Sequence, residues 1–200
     1  MNKLAIALLT VFAIGGCETS TPPSSPPPID TTVVSFQDVR ADSAAGWLYY
    51  SCEKGALVPA GDSATTSWDV RLPYIQCCGK TKFIPVQLNS GPNGPGSVAG
   101  AIATGRFDNV ASLPDGVVLR TDDATNPVVP LPVLGPNIYF VYDIATHTLR
   151  PVPDKVLIIK SSSGKVYKFQ ITSIYKNAES NPTQETPIGF YHFRSAQIAN

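Results

Sequence analysis

Few side chains in this sequence are equipped for chemistry. There are two imidazoles, His147 and His192, and four thiols, Cys17, Cys52, Cys77 and Cys78. His147 lies within NIYFVYDIATHTLRPVPDKVLIIKSSSGKVYKFQITSIY, residues 137–175, with Tyr139 and Tyr142 shortly ahead of it. An imidazole near phenols is a set that can ligate a metal. The competing reading makes His147 a loop residue that hydrogen-bonds backbone in the turn at 146–151. His192 alternates with Tyr191 and Phe193, sharing a face with Phe190 and Arg194, and reads as a surface histidine beside an arginine. Three thiols remain once Cys17 is set aside. An exported domain permits disulfides, so Cys52 could pair with Cys77 or Cys78. The vicinal pair could also bond to itself or hold a soft metal, and all three could be buried thiols.

No hydrolase or metalloprotease constellation is present: there is no G-x-S-x-G and no H-E-x-x-H, and acidic residues are scattered. The glycine loop at 89–97 is no phosphate cradle. Gly91 and Gly96 have the spacing, but Ser97 stands where lysine is needed, and Pro92 and Pro95 remove two backbone donors. The sequence therefore points to a binding protein and not to an enzyme. Net charge is +0, with no basic stripe, which excludes a nucleic-acid partner held by electrostatics.

The elements that must position these residues are short. Of the 200 residues, 15 are glycine and 19 proline, and they are spread widely enough to break the chain into brief runs. Strands are expected at 31–36, 46–51, 67–72, 83–88, 117–120, 138–142, 156–159 and 190–195, with a third strand after the turn at 162–165. In that third strand Tyr167, Phe169 and Ile171 alternate with Lys168, Gln170 and Thr172, which puts the apolar set on one face. Shorter runs fall at 57–59 and 109–113. Residues 126–136 carry four prolines and exclude helix or central strand. Apart from a short turn at 38–45, nothing has sustained helical periodicity. The expected class is all-β: a single domain of two packed, mainly antiparallel sheets with few or no helices. His147 sits in a polar, proline-studded loop between the strands at 138–142 and 156–159.

The chain opens MNKLAIALLTVFAIGGC. A basic Lys3, an apolar run from Leu4 to Ile14 and small residues make a secretory signal, too short to span a bilayer as a helix. Ile14-Gly15-Gly16-Cys17 resembles the bacterial lipobox, which marks residues 1–16 as a lipoprotein signal peptide and Cys17 as the lipidated residue. Its competitor is an ordinary signal peptide with a free Cys17. Acyl chains contribute roughly 0.8 kcal/mol per buried methylene, so a multiply acylated cysteine is a firm anchor. Residues 17–30, rich in Pro, Ser and Thr, make a disordered spacer. The folded domain is expected at 31–200.

Taken in order, WLYYSCEKGALV, SWDVRL, LNSGPNGPGSVAGA, YDIATHTLRPVPDKVLIIKSSSGKVYKFQITSIY and GFYHFRSAQ resemble the HmuY family, lipid-anchored heme-binding proteins of Bacteroidota. The resemblance covers about residues 32–200. The Trp-Asp pair after an aromatic strand, the Asn-Ser-Gly loop and the closing paired strands carry it together. It implies a β fold shaped like a gripping hand, with heme in a cleft between loops. It implies a protein that takes heme from host hemoproteins and passes it to a TonB-dependent outer-membrane receptor. It also implies a place in the outer membrane, lipid-anchored at the cell surface, with Glu18 a faint further hint of outward export. In the family's best-known member two histidines on separate loops ligate the iron, while other members use methionine. In this chain the second ligand position falls near Asp143, four residues before His147. Residues 122–135 contain neither His nor Met, and the chain's one methionine is Met1. The resemblance implies heme, but its two-histidine site is not present here; the residues themselves offer His147 as a single axial ligand and Tyr142 or Tyr139 as a phenolate on the distal side. The alternative is a surface lipoprotein of the same fold that binds a glycan, another tetrapyrrole or a receptor protein without iron ligation.

Overall fold

The computed structural model describes residues 29–76, 85–132 and 138–200. Among them the secondary structure is strand and short 3-10 turns, with no α-helix. Twelve strands are present: β1 (Val34–Val39), β2 (Trp47–Ser51), β3 (Ala56–Val58), β4 (Val70–Pro73), β5 (Gln87–Leu88), β6 (Ala99–Thr104), β7 (Arg120–Thr121), β8 (Phe140–Asp143), β9 (Thr148–Pro151), β10 (Lys155–Lys160), β11 (Val166–Tyr175) and β12 (Ile188–Ile198). They form a six-stranded sheet in the order β1-β12-β11-β10-β6-β7, a four-stranded sheet in the order β3-β2-β4-β5, and the separate hairpin β8-β9. Every pairing between these strands is antiparallel. The all-β, single-domain architecture expected from the sequence is thus the one observed.

The two sheets meet across one apolar layer. Tyr50, Val70, Leu72 and Leu88 come from the smaller sheet, and Leu157, Ile159, Phe169, Ile171, Tyr191 and Phe193 from the larger. Phe169 and Phe193 lie 5.2 Å apart by ring centroids, and Tyr50 meets Phe193 edge-on at 5.0 Å. Each such ring buried from water contributes on the order of 1.5–3 kcal/mol. The Tyr50 hydroxyl finds the Ser195 hydroxyl across the layer, so the polar atom of this buried ring is satisfied.

The alternation in β11 holds, but of its polar set only Thr172 meets water. Lys168 and Gln170 are both buried. The segment around Phe107 covers this face with a second apolar cluster that includes Ala103, Phe107, Val156, Ile158, Val166 and Ile198. Lys168 answers burial by donating from Nζ to the Phe107 carbonyl at 2.8 Å and by lying over the Phe107 ring. Gln170 donates to the Pro153 carbonyl at 2.8 Å and accepts from the Arg194 guanidinium. β10 is therefore covered on both sides, and Val156, Leu157, Ile158 and Ile159 are all fully buried. A continuous apolar run is what such a strand requires.

Several expected boundaries move. The first strand begins at Val34 and not at Thr31, the run at 117–120 contributes only Arg120, to the two-residue β7, and 109–113 makes no strand beyond one isolated bridge at Ser112. Two strands, β6 and β9, stand where none was expected. β9 matters most, because it turns the supposed long loop around His147 into a tight hairpin.

Candidate functional site

The hairpin is built from its own sequence. Asp143 closes the turn as an Asx motif: its carboxylate accepts the Ala145 N–H at 2.8 Å and the Thr146 N–H at 3.3 Å. Those donors hold the Asp143 carboxyl below its ordinary value. His147 then takes a left-handed backbone, with φ of 53°, and β9 starts at the next residue. The register sets Tyr142 opposite Leu149 and Asp143 opposite Thr148.

Two tyrosines fasten the hairpin to the larger sheet. Tyr139 is 1% exposed, and its hydroxyl accepts the Ile171 N–H of β11 at 3.1 Å. Burial pushes its phenol well above the ordinary range. Tyr175, from β11, accepts the Leu149 N–H of β9 on its own hydroxyl at 2.9 Å. Phe140 packs edge-on against Tyr139 at 5.1 Å, and Leu149 joins the same core. The hairpin base is thereby part of the folded core, while its tip is solvent-exposed.

The tip brings together two of the three candidate residues. Tyr142 Oη and His147 Nδ1 are 2.8 Å apart, with ring centroids at 6.3 Å and planes tilted by 58°. With Nδ1–H donating to the Tyr142 phenol oxygen, the imidazole is the neutral tautomer that keeps its lone pair on Nε2, and the bond orients the ring. Nε2 is at the far side of the imidazole, and His147 as a whole is exposed. Ile144, 64% exposed, and Ile138, 53% exposed, stand on either side of Tyr142 in the chain. The third candidate, Tyr139, sits in the core with its hydroxyl engaged by backbone. Cys17 lies outside the described residues, as do Cys77 and Cys78. Cys52 is a free, buried thiol whose pKa burial raises.

His192 departs from the sequence expectation. It is 6% exposed and not a surface residue. Its Nε2 is within hydrogen-bonding distance of Asp38 Oδ1, the Tyr175 carbonyl and the Ala178 N–H. Period two placed it on the correct strand face. What alternation could not show is that β1 and the Lys176–Ala178 turn fold over that face.

Open clefts run along the larger sheet. One of 440 Å³ is lined by Arg106, Asp108, Asp154, Gln170 and Arg194 among others. One of 470 Å³ includes Phe36, Asp38, Thr172 and His192. Two of 250 Å³ flank Cys52 with Lys165 and Tyr175 with Ser180. None of these four is lined by His147, Tyr142 or Tyr139. A ligand at the hairpin tip would therefore lie against the exposed His147, beside the half-buried Tyr142, and not inside these clefts. Among the described residues no three or more His, Cys, Asp or Glu side chains converge as a metal cage, and no helix is long and apolar enough to cross a membrane.

No protein-family model matches the chain, and neither does any curated protein. Solved structures similar to it include the apo HmuY analog of Tannerella forsythia, at 13% identity over 85% of this chain and 96% of that one, with a TM-score of 0.40. A protein from Bacteroides vulgatus described as HmuY-like and heme-binding shares 13% identity over 80% of this chain and 97% of its own, with a TM-score of 0.44. A protein from Bacteroides fragilis described as a lipoprotein shares 13% identity over 80% and 96%, with a TM-score of 0.43.

Proposed function

We propose that this chain is a heme-binding, hemophore-like lipoprotein that takes part in heme and iron acquisition, with the tip of the β8–β9 hairpin as the iron-binding edge. The observation that carries the reading is the 2.8 Å bond between Tyr142 Oη and His147 Nδ1. With Nδ1 engaged by the phenol, Nε2 is the nitrogen left for a ligand, and Ile144 of the same turn is exposed. Heme fits this donor set better than a bare ion does: a porphyrin brings four nitrogens of its own, so one protein ligand suffices where no cage of side chains exists. In this role His147 Nε2 would hold the iron, Tyr142 would set the imidazole ring, and Ile144 would offer apolar surface to the macrocycle. Tyr139, buried and bonded to backbone, secures the hairpin and is not a ligand in this scheme.

The same reading places Cys17 as the lipid anchor, residues 17–30 as the spacer and the outer membrane, at the cell surface, as the location. Host hemoproteins would be the heme source and a TonB-dependent receptor the acceptor. The test is a pair of titrations of the soluble domain, one with ferric protoporphyrin and one with the iron-free ring. Iron ligation predicts clearly tighter binding of the ferric form. Equal affinities would assign the fold to the alternative, a surface lipoprotein that takes a ligand without coordinating iron. That alternative draws on the four clefts of the larger sheet, which are lined by polar side chains as well as apolar ones.

A further inference from the structure

His192 sits on β12 beside places where the β11–β12 register slips, between Ile171 and Ser173 and again before Tyr175. Three groups reach its Nε2: Asp38 Oδ1 at 3.1 Å, the Tyr175 carbonyl oxygen at 3.0 Å and the Ala178 N–H at 3.1 Å. Two of these only accept and one only donates, whereas a single ring nitrogen cannot donate and accept at once. With its proton on Nδ1, the imidazole takes the Ala178 N–H and turns a lone pair toward two oxygens. With a proton on Nε2, it serves Asp38 or Tyr175 and confronts the Ala178 N–H. No protonation state satisfies all three partners.

Backbone strain gathers at the same place. Asp38, Asn177 and Ala178 have φ of 50°, 57° and 52°, a region that residues with a side chain rarely occupy. The only other such residue among those described is His147, so the strain is concentrated here and not spread over the fold. Asp38 Oδ1 also accepts the Asn177 N–H at 2.7 Å. The two strained turn residues are thus held by one bond each, to Asp38 and to His192. Ala178 forms a wall between two clefts: it lines the 470 Å³ cleft on the His192 side and the 250 Å³ cleft that runs past Glu179 and Ser180.

We infer that protonation of His192 opens the Lys176–Ala178 turn. The starting form carries its proton on Nδ1 and accepts the Ala178 N–H on Nε2; the cationic ring instead donates Nε2–H to Asp38 and the Tyr175 carbonyl and expels the Ala178 N–H. The turn relaxes out of its left-handed conformation, and the two clefts join across the displaced Ala178. The proton comes from solvent through the 470 Å³ cleft.

The surrounding charges allow this. From β1 the facing group is the Asp38 carboxylate. From β11 come the Tyr175 carbonyl and Thr172, whose hydroxyl donates to the His192 carbonyl at 3.2 Å. From the turn, the Lys176 ammonium is 5.9 Å from the centre of the Phe190 ring, and Glu179 follows in the chain. On β12 itself Arg194 lines the same cleft, but its guanidinium is tied to Gln170 and Asp108. The charged group in contact with Nε2 is therefore an anion.

The test follows the Ala178 amide and the His192 ring by NMR in the isotope-labelled protein from about pH 8 to about pH 5, the span over which imidazoles usually charge. The inference predicts that both signals move along one curve. It also predicts that hydrogen-exchange protection at Ala178 falls about tenfold, as expected for one lost hydrogen bond, while β10 keeps its protection. An Ala178 amide that stays fixed while the ring titrates would overturn it, as would a ring that does not titrate in this span. Asp38→Asn, at an exposed position, should shift the shared midpoint to more acidic pH, and an unmoved midpoint would also count against the inference.

Discussion

At the scale of single residues, two polar pairs show how environment assigns a role. Tyr142 and Tyr139 are three positions apart, yet one bonds an imidazole at the hairpin tip and the other accepts a backbone N–H inside the core. Tyr142→Phe removes the group that orients His147 without touching the imidazole. Partners that orient a ligand typically account for 10- to 100-fold in affinity, so this variant should bind ferric protoporphyrin about tenfold more weakly and the iron-free ring unchanged. Equal loss for both would mean that Tyr142 merely packs against the macrocycle. Asp69 illustrates a different balance. Burial raises its carboxyl above the ordinary value, although its carboxylate accepts the Cys52 N–H at 2.8 Å. A folded-state pKa above the unfolded one means that the folded protein holds this proton more firmly. The stability it confers is present at acid pH and lost as pH rises through the folded pKa. Asp69→Asn stays uncharged throughout. Its stability relative to the parent should therefore decline between pH 7 and about pH 4, as read by denaturant unfolding at both values. A relative stability that rises on acidification would contradict the assignment.

At the scale of elements, the hairpin and β6 are the informative cases. The strand at 156–159, the alternation of β11 and the closing β12 were legible in the sequence because large apolar residues mark them. β6, AGAIAT, carried no such mark. Its small residues answer a packing demand that appears only in three dimensions: a Cβ on Gly100 would come within 2.8 Å of Leu88 Cδ1 and 2.9 Å of the Ile158 carbonyl. The two sheets approach closely at that point, and glycine permits it. Gly100→Val should cost about 1–3 kcal/mol through overpacking, measured as a lowered denaturation midpoint, and an unaltered midpoint would refute the close-approach account. β9 escaped notice for a different reason. Thr148-Leu149-Arg150-Pro151 looks like a polar loop, but the Asx turn at Asp143 and the Tyr175 hydroxyl hold it as a strand. His147 and Tyr142 were readable as neighbours in the chain. Their hydrogen bond was not, because it depends on a left-handed residue at the turn that alternation does not predict. The burial of His192 was hidden likewise, since its cover comes from Asp38, far away in the sequence.

At the scale of the whole molecule, the chain divides structure and proposed function cleanly. Two sheets and the base of the hairpin share one apolar core, and a second cluster covers the back of β10 and β11. The exposed hairpin tip extends from that core, with its histidine bonded to the Tyr142 phenol. A formal charge of +0 gives the molecule no long-range pull on anionic partners, so the proposed recognition of a flat apolar ring would rest on contact and coordination. Central to this account is iron held by one imidazole at that tip. The most direct measurement is the absorption spectrum of ferric heme titrated into the protein and into His147→Ala. The account predicts a ligand-field change that saturates at about one heme per chain and disappears in the variant. Identical spectra for the two proteins would contradict it.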